Sequence, residues 1–105
     1  MFLFPPAVTL GETINADNLV YREGIYYKEF SETPFTGTVE GRMRGALSNG
    51  RREGIWLTFW NNGQVQSEGE YINGKAEGSW LVFNRDGSRD NEQSGNYLND
   101  EKISE

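Results

Sequence analysis

The chain has 105 residues, a net charge of −6, 13% aromatic residues, and neither histidine nor cysteine. That length suits one domain with a modest core, and the aromatic content argues against a disordered tail. The missing side chains exclude disulfides, thiol nucleophiles, His-ligated metals and Ser-His-Asp hydrolysis, and the acidic balance points away from nucleic acid and anionic membranes toward a basic protein partner.

In chain order, residues 1–14 read as an apolar N-terminal arm and 15–105 as the folded domain. Met1 to Gly11 is apolar and interrupted by Pro5-Pro6. Two readings stay open. It is the end of a secretory signal whose start lies upstream, which makes the protein exported, or it is an arm on a cytoplasmic protein. No apolar run approaches the roughly 20 residues a membrane-spanning helix needs. Val20 to Phe30 reads as a strand pair around Glu23-Gly24, Ser31 to Pro34 as a loop, Phe35 to Glu40 as an alternating strand, and Arg42 to Ser48 as its continuation in the sheet.

The second half is repetitive. Asn49 to Phe59 aligns with Asn73 to Phe83 at an offset of 24 residues, preserving Asn, Gly, a basic residue, Glu, Gly, Trp, Leu and Phe. Gly69-Glu70-Tyr71-Ile72-Asn73 recurs as Gly95-Asn96-Tyr97-Leu98-Asn99 at an offset of 26, which places a two-residue insertion between Ser88 and Ser94. Glu23-Gly24-Ile25-Tyr26 reads as a weaker copy of Glu53-Gly54-Ile55-Trp56. Within a unit, Ile55 to Trp60 is a strand flanked by Gly54 and Asn61-Asn62-Gly63, and Gln64 to Ile72 is the return strand before the Asn73-Gly74 turn. Asn-Gly supplies the positive φ of tight hairpins. The prediction is therefore an all-β fold of stacked antiparallel hairpins, a meander or solenoid sheet extended by one hairpin per unit, with the irregular first half as a terminal cap. At the other end Asn99-Asp100 stands where a further unit would begin; charges at Asp100, Glu101, Lys102 and Glu105 would blunt that edge, or the chain is a shortened member of a longer family.

Strand alternation puts Trp56, Thr58 and Trp60 on one face and Ile55, Leu57 and Phe59 on the other. The recurring Gly54, Trp56, Leu57, Phe59, Tyr71, Gly78, Trp80, Leu81, Phe83 and Tyr97 are expected to form the repeat core, stacking between units. The recurring glycines at 54, 69, 78 and 95 mark close backbone approach or sharp bends. Trp60 becomes Asn84 in the next unit, so it reads as exposed and as a protein-binding hot spot, or else as packing on the Tyr26-Tyr27 segment.

The residues Gly54, Trp56, Phe59, Asn62-Gly63, Gly69, Tyr71 and Asn73-Gly74-Lys75, then Gly78, Trp80, Phe83, Gly95, Tyr97 and Asn99, resemble the MORN repeat in its bacterial variant. The second copy departs from that pattern at Asp86-Gly87 and Asn99-Asp100. Gly24 to Phe30 followed by Thr33 to Val39 resembles the leading segment of YwqK-family antitoxins. The resemblance covers about residues 18–100. It implies stacked hairpins and two roles, toxin neutralisation or scaffolding; the phospholipid binding also linked to the family gains no electrostatic support from this acidic chain.

Side chains that could carry chemistry are few. Glu68 and Glu70 flank Gly69, but carboxylates beside turns read as solvated surface rather than an acid–base pair held across a cleft. Asp86 to Glu92 has oxygen ligands without EF-hand spacing and reads as a lengthened loop. No Gly-x-x-x-x-Gly-Lys-Ser/Thr occurs. The expectation is a chain with no catalytic residues, metal or cofactor. It would bind a protein partner, in the most specific form a basic toxin, through Trp60, the cluster Arg42, Arg44, Arg51 and Arg52, and the acidic Glu68 and Glu70. The alternatives are a scaffold or cell-envelope component, and carbohydrate or peptide recognition by sheet aromatics.

Overall fold

In the computed structural model, which describes residues 11–105, the protein is all-β. Among the described residues ten strands form: β1 (Glu12–Asn15), β2 (Leu19–Arg22), β3 (Ile25–Lys28), β4 (Gly37–Glu40), β5 (Met43–Ser48), β6 (Arg51–Phe59), β7 (Val65–Ile72), β8 (Lys75–Val82), β9 (Gly95–Leu98) and β10 (Glu101–Ser104). The only helical element among the described residues is a 3-10 turn at Ala16–Asn18, opened by the Asn15 side chain accepting from the Asp17 amide. Eight strands make one sheet in the order β1-β4-β5-β6-β7-β8-β9-β10, while β2 and β3 pair separately. From β4 to β10 every pairing is antiparallel between sequence neighbours, the hairpin meander expected from the repeat.

The departures lie mainly at the N-terminal end. β1 pairs parallel to β4, with Ile14 opposite Val39, and Ile14 is buried. The sheet thus begins within the stretch that composition assigned to the arm; the remainder of Met1–Gly11, up to residue 10, lies outside the described residues. The strand expected from Phe35 starts only at Gly37, because Phe35 turns into the core and its backbone bonds Tyr26 and Gly50 instead. The likeness of Glu23-Gly24 to Glu53-Gly54 is one of residues and not of conformation. Glu23 and Gly24 are the two positive-φ residues of a hairpin turn, whereas Gly54 lies inside a strand.

The turns follow their chemistry. Asn49-Gly50 and Asn73-Gly74 have both residues at positive φ, as primed hairpin turns require. Asn99-Asp100 adopts the same conformation without a glycine; the Asp100 carboxylate accepts from the Ala76 amide at 2.7 Å. At Asn62-Gly63 and Asp86-Gly87 only the glycine has positive φ, and the preceding side chain accepts an amide two residues on. These are wider loops: the one at Asn62-Gly63 runs from Trp60 to Gln64 between β6 and β7, around the expected turn residues Asn61-Asn62-Gly63.

The core sits under β4–β6, where Ile14, Phe35, Val39, Met43, Leu47 and Trp56 pack together. From there an aromatic ladder runs across the units on the same face. Trp56 meets Tyr71 edge-on at 6.4 Å, Tyr71 meets Trp80 at 5.0 Å, and Trp80 meets Tyr97 at 6.3 Å. Both tryptophans of the ladder, Trp56 and Trp80, are seated by a β-bulge. Gly45 alone lies opposite Gly54, Ile55 and Trp56, and Gly69 alone opposite Gly78, Ser79 and Trp80. Gly54 and Gly78, at φ +78° and +77°, make the bend, and the indole then lies on Gly45 or Gly69, where a side chain would collide with it.

The recurring glutamates have a structural use as well. Glu53 accepts the amide of Asn73, and Glu77 accepts that of Asn99, so each unit fixes the turn of the next. Leu57 and Leu81 lie half-buried on the opposite face, and their strands place Glu68 in register between them rather than stacking them on each other.

Candidate functional site

A cleft of about 490 Å³ lies on the tryptophan face, over β6–β9. Its floor is aromatic: Trp60, Tyr71, Trp80, Phe83 and Tyr97 all reach it. Polar groups edge it, including Ser67, Asn84, Asp90 and Gln93. Apolar surface with a few oriented polar groups is the usual make-up of a small-ligand site.

One wall is the loop from Asn84 to Ser94, which contains the two inserted residues. That loop is firmly held. Ser94 is fully buried and its hydroxyl both accepts from the Val82 amide and donates to the Val82 carbonyl. The Tyr97 hydroxyl donates to the Gln93 carbonyl at 2.6 Å, and Lys102 Nζ donates to the carbonyls of Asn91 and Glu92. Lys102 is therefore turned into this loop and does not serve as a solvent-facing charge on the sheet edge. The Asp90 carboxylate accepts from the Glu92 and Gln93 amides and the Gln93 side chain, and these bonds, with Gln93's backbone foremost, hold its pKa below the ordinary aspartate value. Asp86 is lowered likewise, by Ser88's hydroxyl and amide. Both carboxylates are occupied by their own loop, and no group of three potential metal-ligating side chains forms among the described residues.

Trp60 is half-buried rather than exposed, and it does not pack on Tyr26-Tyr27. Its Nε1 donates to the Phe83 carbonyl at 3.1 Å, and the Arg85 guanidinium lies 5.5 Å from its ring centre. The substitution of Trp60 by Asn84 between units reflects two positions in one cleft, not a free surface.

Trp80 shows the sharpest anomaly. It is 6% exposed, and its Nε1 has no hydrogen-bond partner. In the preceding unit Trp56 Nε1 donates to the Ala46 carbonyl at 3.0 Å. The two indoles sit differently on their glycines: Trp56 covers Gly45 with the five-membered ring that carries Nε1, while Trp80 covers Gly69 with its six-membered ring. A buried N–H without an acceptor costs about 1–3 kcal/mol. Burial also raises the pKa of neighbouring Tyr71, opposed by the Arg52 guanidinium that stacks 4.1 Å from its ring centre.

The arginine cluster does not assemble. Arg42 pairs with Asp17 at 3.1 Å, and Arg44 lies over the Phe59 ring. Arg52 lies between Tyr26 and Tyr71, and Arg51 is at the β6 terminus beside Gly74. Glu68 and Glu70 do come together, exposed on the face opposite the cleft, around a shallow hollow shared with Ile55, Glu77, Ser79 and Leu81. Glu70 and Glu77 are direct cross-strand partners, and among the described residues no cation pairs with any of the three.

Sequence reading missed Gly45, Asp90, Gln93 and Ser94. Gly45 was within reach, since the offset of 24 carried upstream from Gly69 lands on it. The other three lie in the inserted loop, where the repeat gives no guide. No family model, curated protein or solved structure matches the chain.

Proposed function

We propose that this protein is a non-catalytic binding module of the MORN-repeat type, which takes a basic protein partner on the face of Glu68 and Glu70. The observation that carries the proposal is the combination on that face of unpaired carboxylates with apolar side chains. Ile55 is 62% exposed beside Glu68 and Glu70, with Leu57 and Leu81 half-buried in the same rows. Like charges directly across a strand pair are destabilising, so an incoming cation relieves a repulsion as well as forming new pairs. The sequence resemblance to YwqK-family antitoxins makes neutralisation of a basic toxin the specific form of this role.

The test is capture from native lysate with the wild type and with the double variant Glu68→Lys/Glu70→Lys, followed by expression of the captured protein alone. The expected result is one stoichiometric basic protein that binds the wild type, is released by salt, is lost with the double variant, and arrests growth unless the wild type is co-expressed. Capture that is indifferent to both salt and charge reversal contradicts the proposal.

A further inference from the structure

The geometry points to a second binding function, on the face opposite the acidic one: the aromatic cleft takes a neutral, polyhydroxylated ring, a pyranose unit of a saccharide. The cleft is built without regard to the partner face and stands or falls separately from it.

Three features define the ligand. The first is charge. No lysine or arginine lines the cleft, its one carboxylate is Asp90, and the whole chain carries −6; the nearest cations, Arg52 and Arg85, lie against the Tyr71 and Trp60 rings outside the lining, Arg85 being bonded to Asn61, so phosphate and carboxylate ligands find no counter-charge within the cleft. Asp90 is already bonded by three loop donors, so it offers a cation little free coordination. A neutral ligand remains.

The second feature is the division of the lining into flat apolar and edge-on polar surface. Indole and phenol rings at Trp60, Trp80 and Tyr97 present faces and edges to the hollow, while the Asn84 and Gln93 amides and the Ser67 hydroxyl surround them. Ser67 is bonded to Thr58, and the Asn84 and Gln93 amides donate to Ser88 and Asp90, which leaves the two amide oxygens as acceptors that a purely apolar side chain would bury unbonded. A pyranose has the complementary form: C–H groups on its faces for the rings, and hydroxyls at its edge that both donate and accept.

The third is the orphan donor. Trp80 is 94% buried by difference from its 6% exposure, lines the cleft, and has an Nε1–H with no partner, while its counterpart Trp56 is satisfied. Buried unpaired donors are rare in native proteins, and each one calls for an explanation. Nε1 itself is sealed from solvent, so a bound hydroxyl or ring oxygen becomes its acceptor through a small turn of the indole toward the cleft that Trp80 lines. The pinned loop from Asn84 to Ser94 holds the wall in place before binding, which limits the ordering a ligand must impose.

The test is a heteronuclear NMR titration of the full chain with neutral oligosaccharides (cello-, xylo-, manno- and chito-tetraose) and, in parallel, with neutral peptides containing Phe and Leu. The expected result is saturable binding of at least one oligosaccharide. The Trp80 indole N–H resonance should move most and that of Trp56 stay in place. Trp80→Phe, which keeps a ring but removes the donor, should weaken the affinity about tenfold. Glu68→Lys/Glu70→Lys should leave it unchanged. If no oligosaccharide moves the Trp80 indole resonance at millimolar concentration, or if only the peptides do, the proposal is overturned.

Discussion

Replacing Trp56 by Ala is expected to lower stability by about 3–5 kcal/mol, the range for deleting a large buried aromatic side chain. A domain of this size has roughly 5–15 kcal/mol in total. Trp56 is 1% exposed, joins the core cluster to the aromatic ladder through Tyr71, and has its indole N–H bonded to Ala46. Its loss leaves a sealed void between β5 and β6. Trp80→Ala should cost less, because Trp80 lies outside the core cluster, beside an open cleft that water can enter, and gives up no hydrogen bond. Urea unfolding measures both: the midpoint should fall for each with the slope unchanged, and further for Trp56→Ala. The reverse order would contradict the placement of the core.

The second large effect is expected from adding a single methyl group. Gly45→Ala places Cβ against the Trp56 indole, at 2.5 Å from Nε1 and nearer still to Cδ2 and Cε2. Neither the strand nor a fully buried indole can give way cheaply, so the loss should reach or exceed the usual overpacking range of about 1–3 kcal/mol. Gly54→Ala is the contrasting case. Nothing lies within 4 Å of its Cβ, but its φ is +78°, which costs about 1–2 kcal/mol for a residue other than glycine. The two mechanisms separate in a double mutant. In a Trp56→Ala background Gly45→Ala should become nearly neutral, whereas Gly54→Ala should keep its full cost. Urea midpoints of the three single and two double variants decide this. Equal costs for Gly45→Ala with and without Trp56 would show that the glycine is not there for the indole.

The repeat made most of the hairpin sheet legible. Asn-Gly pairs marked two turns because few residues other than Asn and Gly accept positive φ at both positions. The alternation of Trp56 with Leu57 separated the faces correctly, since side-chain direction in a strand is set by parity alone. What was not legible depends on contacts between segments far apart. The parallel β1–β4 pair has no local signature, and the repeat glutamates looked like surface because their acceptor role falls on a turn 20 to 22 residues away. The arginines between 42 and 52 looked like a patch, but strand alternation and the Asn49-Gly50 turn send them to different faces and ends. Trp60 was misread for a related reason. A position that changes between repeats suggested solvent, whereas it marks the place where the inserted loop makes one unit differ from the next.

Each repeat seats a tryptophan on the lone glycine of a bulge. The most direct test of that seating is the Hα chemical shifts of the glycines. An aromatic ring shifts nuclei held over its face upfield. Gly45 and Gly69 Hα should therefore resonate well upfield of Gly24 and Gly63, around whose Cβ positions nothing lies within 4 Å. The Gly45 signal should return to the ordinary glycine position in Trp56→Ala, and the Gly69 signal in Trp80→Ala. Gly45 and Gly69 resonating together with Gly24 and Gly63 in the wild type would contradict the account.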